Sequence, residues 1–179
     1  MPEAKRGAAT GAAVANDRLP RIVLLTAGEV LERRRAELEA LAVGEARDPG
    51  RGVEVELSGG ERAVAHLFGD IERALVTLRR QPVEAILIDN RCPSAPSAFF
   101  ETVAGRVLPE LLAGTPFGRV PVRRTIFVVL PDDAYTADHA YAVGTLQLGG
   151  VLVAPRDLAT VLEAARRFAR PAEDRKSVV

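Results

Sequence analysis

Asp89 is the residue whose surroundings most suggest chemistry. It closes the apolar part of the run Glu84-Ala85-Ile86-Leu87-Ile88-Asp89-Asn90-Arg91-Cys92-Pro93. Four consecutive apolar residues, two of them β-branched, read as a strand buried on both faces. The Cys92-Pro93 step then forbids an immediate helix. A carboxylate at the carboxyl end of a central parallel strand sits where open α/β sheets place their ligands. Such a group can do chemistry only if the rest of the chain gives it companions. The plainer alternative is a carboxylate that bonds to backbone N–H groups near Thr26 or Arg91. Asp132 and Asp133 are the acidic residues best placed to rebuild a cation site, although Pro131-Asp132-Asp133 also reads as an ordinary turn. Cys92 reads as a small hydrophobe rather than a reactive thiol. His66 and His139 fall on separate predicted helices with no Cys or third His at ligand spacing, so no metal site is expected. Gly59-Gly60 and Gly149-Gly150 lack the context of a phosphate loop and read as turns.

Composition narrows the classes. The chain has 179 residues, 47% of them hydrophobic, enough for one domain with a sizeable core. Lys and Arg total 24, as do Asp and Glu, so the formal net charge is zero and a dedicated nucleic-acid binder is not expected. The basic run Arg166, Arg167, Arg170, Arg175, Lys176 is balanced by Glu163, Glu173 and Asp174 and reads as a solvated helix face. No apolar run approaches the ~18 residues of a membrane span, and Met1–Asp17 has no secretory h-region. The single cysteine excludes an internal disulfide and fits a reducing cytoplasm. Residues 1–19 and 171–179 read as disordered tails around one domain at 20–170.

The elements that must position Asp89 alternate. Arg21–Leu25 is a first buried strand, followed by a helix over about Glu29–Ala42. In that helix Val30, Leu31, Leu38 and Leu41 face inward, and Glu32, Arg33, Arg34, Arg35, Glu37 and Glu39 take up much of the rest. Val53–Leu57 alternates as a half-exposed edge strand should. From Gly60 to Arg80 the spacing of Val64, Leu67, Phe68, Ile71, Leu75 and Leu78 predicts one long helix. After the Asp89 strand come a helix at Ala98–Ala113 and a long connection at Gly114–Arg124, where Phe117 is a candidate anchor or a residue tucked onto its own sheet. A fourth strand follows at Thr125–Leu130, then a helix at about Ala134–Leu146 and a fifth strand at Val151–Val153. A last helix, capped by Asp157, ends before Pro171. Five strands joined by right-handed crossovers predict an α/β protein, a three-layer parallel sheet of flavodoxin-like topology in the order 2-1-3-4-5. That order sets Leu25-Thr26 beside Ile88-Asp89.

Over roughly Leu19–Arg170 the chain resembles the receiver domain of two-component response regulators. Ile86-Leu87-Ile88-Asp89-Asn90-Arg91-Cys92-Pro93 is similar to that family's hydrophobic strand, phosphoacceptor Asp and downstream Pro. Gly150-Val151-Leu152-Val153-Ala154-Pro155 is similar to its Gly, aromatic, two apolar residues, Lys and Pro. By this resemblance a working site uses five side chains: two acidic residues after the first strand, which hold Mg²⁺ with the acceptor Asp, a hydroxyl ending the fourth strand and a Lys ending the fifth. Here only Asp89 matches. The acidic pair falls at Thr26 and Ala27, the hydroxyl at Pro131 (Leu130 if the register slips by one), the Lys at Ala154, and the aromatic switch at Val151. Phosphoryl transfer to a carboxylate brings like charges together, so a cation must bridge them. A lone Asp has too few companions to hold one.

The resemblance therefore implies a degenerate receiver: a non-catalytic, phosphorylation-independent protein–protein interaction or scaffold module with no cofactor and no metal. Its expected partner or self-association surface is the face of the fourth helix, fifth strand and last helix, around Tyr135, Tyr141, Leu148, Arg156, Arg166 and Arg170. Two alternatives stand beside it. One is an atypical response regulator phosphorylated at Asp89. The other is a small-ligand or enzyme domain with a pocket above Thr26, Asp89 and Pro131.

Overall fold

The computed structural model describes residues 19–26, 28–44, 48–89, 105, 109, 126–130, 135–153 and 157–169. Six strands form one sheet: β1 (Arg21–Thr26), β2 (Val53–Glu56), β3 (Arg62–Phe68), β4 (Ala85–Asp89), β5 (Ile126–Leu130) and β6 (Gly150–Val153). The described helices are α1 (Gly28–Leu41), α2 (Ile71–Arg80), α3 (Ala137–Thr145) and α4 (Leu158–Ala169). The strand order is β2-β3-β1-β4-β5-β6. Five strands, β3-β1-β4-β5-β6, run parallel; Val53–Leu57, expected as the parallel neighbour of the first strand, is instead β2, a sixth and antiparallel strand outside β3.

The second parallel strand is a correction. Arg62–Phe68, expected to begin a long helix, is β3, and only Ile71–Arg80 is helical. Val64, Leu67, Phe68 and Ile71 do fall at helical spacing, but the same residues also serve a strand. Ala63, Ala65 and Leu67 pack on one face while Phe68 packs on the other. Tertiary burial on both faces settles the period, as it does for interior strands generally. Gly59 and Gly60, at φ +83° and +76°, turn β2 into β3, and Leu57 N–H closes the hairpin on the Glu61 carbonyl at 2.7 Å. The helix begins afresh at Asp70, whose Oδ1 accepts from Glu72 N–H at 2.7 Å and Arg73 N–H at 3.4 Å. The outer edge of β2 is covered in turn by the chain leaving α1, through the Ala42–Val55 bridge and a Val43 N–H to Glu54 carbonyl bond of 2.8 Å.

Side-chain parity divides the core. Ile22, Leu24, Ala85, Leu87, Phe127 and Val129 face α1 and α4 and meet Leu38, Leu158, Val161, Leu162 and Ala165. Val23, Leu25, Ile86, Ile88, Ile126 and Val128 face the other way, onto Ala74, Leu75 and Leu78 of α2 and onto Leu148. Asp89 continues the parity of Ala85 and Leu87, so its side chain belongs to the α1 and α4 face. The helix expected at Ala98–Ala113 lies outside the described residues apart from Gly105 and Pro109, and the Gly114–Arg124 connection with Phe117 lies wholly outside them. Among the described residues no helix is long and apolar enough to cross a membrane.

Candidate functional site

At the carboxyl edge of the sheet, β1 and β4 pair in the expected register, with Leu25 beside Ile88 and Thr26 beside Asp89. Both site residues are buried. An ion partner of Asp89 comes from α1. Arg34 Nε donates to Asp89 Oδ2 at 2.6 Å, and the two side chains are 1% and 0% exposed. Arg34 Nη1 also donates to Glu37 Oε2 at 2.7 Å, and Glu37 Oε1 accepts from Arg33 Nε at 3.0 Å. Charges of alternating sign thus lead from the sheet edge to the surface in the sequence Asp89, Arg34, Glu37, Arg33. Burial disfavours the charged guanidinium, but the charge and hydrogen bond of Asp89, aided by Glu37, outweigh it. The Arg34 pKa ends above its ordinary value, so it carries a fixed positive charge at any working pH.

Arg34 was expected on the solvated side of α1; it is instead among the most deeply buried large side chains of the protein. A signal for this is present in the spacing. Leu31, Arg34, Leu38 and Leu41 recur at three, four and three residues, so Arg34 occupies an inward position of the helix. Two donors at this edge, Arg34 Nη2 and Thr26 Oγ1, are buried with no hydrogen-bond partner among the described residues.

The arrangement has a definite chemical character. A guanidinium held at 2.6 Å occupies one oxygen of Asp89 and supplies a monovalent, immobile charge. A divalent cation would need further carboxylates, and Thr26 contributes only a hydroxyl. Among the described residues no group of three or more His, Cys, Asp or Glu could hold a metal ion. Ala27, Pro131 and Ala154, the other positions aligned with a working receiver site, lie outside the described residues, as do Cys92, Asp132 and Asp133. Leu130 ends β5 fully buried, and Val151 is half-buried in β6.

The residues expected on a partner surface do not stay together. Tyr135 and Tyr141 are exposed, the latter by 77%. Leu148 is not available: Gln147, at φ 56°, turns the chain after α3 and drops Leu148 into the core beneath that helix. Arg166 is engaged within the domain. Its Nη1 bonds Glu61 Oε2 at 2.5 Å, while Glu163, three residues earlier, accepts from the Ser58 backbone N–H at 2.8 Å and from the Ser58 hydroxyl. The β2–β3 turn therefore clasps α4 and occupies part of the face that the resemblance had offered to a partner. Hydrogen bonds from Ser58 hold the Glu163 carboxyl below its usual pKa. Arg156 and Arg170 lie outside the described residues.

The described residues thus form an α/β sheet, parallel apart from β2, with a buried Asp–Arg pair at its carboxyl edge. Solved structures similar to it include receiver domains of two-component systems. The receiver domain of a sensor histidine kinase from Pseudomonas aeruginosa, solved with magnesium coordinated in its active-site cleft, is 20% identical and covers 85% of this chain and 98% of its own, with a TM-score of 0.48. The chemotaxis protein CheY4 of Vibrio cholerae is 14% identical over 84% of this chain and 99% of that one, also at 0.48. An adenylate cyclase structure from Rhodopirellula baltica is 15% identical over 85% and 88% of the two chains, at 0.47. No family model matches the chain, and no curated protein matches it.

Proposed function

We propose that this protein is a receiver-like signalling module in which an internal guanidinium stands where a phosphorylatable site needs a removable divalent cation. Its state is set by protein contacts and not by phosphorylation. The observation that carries this reading is the 2.6 Å Arg34–Asp89 pair, with both side chains buried. To accept a phosphoryl group, an Asp89 oxygen must attack phosphorus while a cation neutralises the incoming charge. Arg34 already bonds Asp89, and its departure would take the guanidinium away from a buried carboxylate, a cost of several kcal/mol. Neither Thr26 nor Leu130 brings compensating charge. The partner surface is the exposed part of α3 and the segment before it, where Tyr135 and Tyr141 present aromatic rings suited to protein contact.

The test is incubation of the full chain with acetyl phosphate and Mg²⁺, read by intact mass. No phosphoryl adduct is expected. Stoichiometric uptake that disappears in Asp89→Asn would overturn the proposal in favour of a working response regulator.

A further inference from the structure

His66 is not used by the Asp89 site, and it is the floor on which a loop rests. It is wholly buried in β3, beside Val23 of β1. Its Nδ1 lies 3.3 Å from the Gly50 carbonyl, which can only accept, so Nδ1 carries the proton and donates. Its Nε2 is buried with no partner among the described residues. The ring stacks near-parallel to Phe68, with centroids 6.3 Å apart and an interplanar angle of 11°. The overlying loop is closely fitted. Gly52 sits at φ +101°, and a Cβ there would come within 2.7 Å of the His66 ring and of Val64. The Pro49 carbonyl accepts from Leu67 N–H at 3.0 Å, so the loop is also pinned to the strand carrying the histidine.

We infer that His66 makes the Asp48–Gly52 loop an acid-released latch, closed while the imidazole is neutral and opened when it takes up a second proton. A proton on Nε2 would be a buried charged donor with no acceptor among the described residues, a state that burial strongly disfavours. Among the described residues the charged groups around it give no relief. Arg21 on β1 repels an imidazolium. Arg73 of α2 brings a second guanidinium over Gly50. Asp48, the acid within the loop, already accepts from Gly50 N–H at 2.9 Å and faces Arg51 at 3.5 Å. Glu54 on β2 is paired with Arg62 on β3 at 2.9 Å, and Asp70 is committed to the α2 amides. Burial, with Arg21, accordingly holds the His66 pKa below its usual value in the closed form. The proton enters only after the loop lifts, so acid favours the open form. This device is independent of whether Asp89 accepts a phosphoryl group.

The experiment is hydrogen exchange of the full chain at about pH 7.5 and about pH 5.5, expressed as protection factors to remove the intrinsic pH dependence. If the open form binds its proton near the ordinary histidine value of ~6.5, the opening constant rises roughly tenfold at the lower pH. The amides of Arg51 and Leu67 should lose protection by that factor while staying well below the protection of β4 and β5, which marks the opening as local. His66→Gln, which still has an N–H for the Gly50 carbonyl but cannot titrate, should abolish the change. Unchanged protection at the loop, loop protection equal to that of β4 and β5 at both pH values, or the same loss in His66→Gln would each overturn the latch. Should His66→Gln fail to fold, the imidazole of the wild-type protein is titrated by NMR: a depressed midpoint supports the latch, and an ordinary one near 6.5 overturns it.

Discussion

Replacing Arg34 with methionine isolates the charge at the centre of the proposed function. Methionine keeps an unbranched apolar stem on the inward face of α1 beside Leu31 and Leu38. It removes the Nε donor at 2.6 Å and leaves the Asp89 carboxylate, whose side chain is 0% exposed, without its guanidinium. Breaking one partner of a buried pair costs about 3–5 kcal/mol, against a total stability of about 5–15 kcal/mol for a domain. At this chain length each kcal/mol moves Tm by roughly 2–4 °C, so a fall of roughly 6–20 °C is expected. Much of that cost belongs to the buried carboxylate that has lost its guanidinium and not to the loss of an attraction. Arg34→Met combined with Asp89→Leu should therefore recover most of the stability, because apolar pairs often equal or exceed the buried pairs they replace. Urea denaturation of wild type, both single variants and the double variant closes the cycle. A single Arg34→Met cost below about 1 kcal/mol, or strictly additive losses in the double variant, would refute the claim that these charges depend on each other.

Three further outcomes are expected. Gly149→Ala should destabilise by about 1–3 kcal/mol, read by urea melts, because the added carbon meets the buried Phe127 ring at 2.9 Å and the Ile126 carbonyl at 3.0 Å. Asp70→Ala should cost about 1 kcal/mol by removing the acceptor of two α2 amides, with the loss seen in the same melts. Because His66 has a lowered pKa in the folded protein, the unfolded chain binds its proton first as pH falls. Its contribution to global stability is complete above about pH 6.5 and declines below that at up to ~1.4 kcal/mol per pH unit, measured by urea melts of wild type against His66→Gln.

The buried strands were legible because β1, β4 and β5 are continuous apolar runs that only a two-sided interior can accept. Their alternation with helices, taken in a flavodoxin-like order, was enough to put Thr26 beside Asp89. Residues 62–68 were not legible in the same way. Ala63, Val64, Leu67 and Phe68 satisfy a period of 3.6 or of 2, and only the vacancy beside β1 selects the strand. Leu148 looked like a surface residue because its burial depends on one left-handed residue, Gln147, which propensity does not foresee.

What the sequence alone determined is the α/β class, the pairing of β1 with β4 and the position of Asp89 at their carboxyl edge, since periodicity and strand composition are local properties of the chain. The counter-ion of that carboxylate was decided by tertiary structure. Arg34 lies 55 residues from Asp89 and is one of three consecutive arginines with identical local chemistry. The spacing of Leu31, Arg34, Leu38 and Leu41 puts that one on the inward side of α1, but only the docking of the helix on the sheet brings it to Asp89, where desolvation makes a charge pair obligatory.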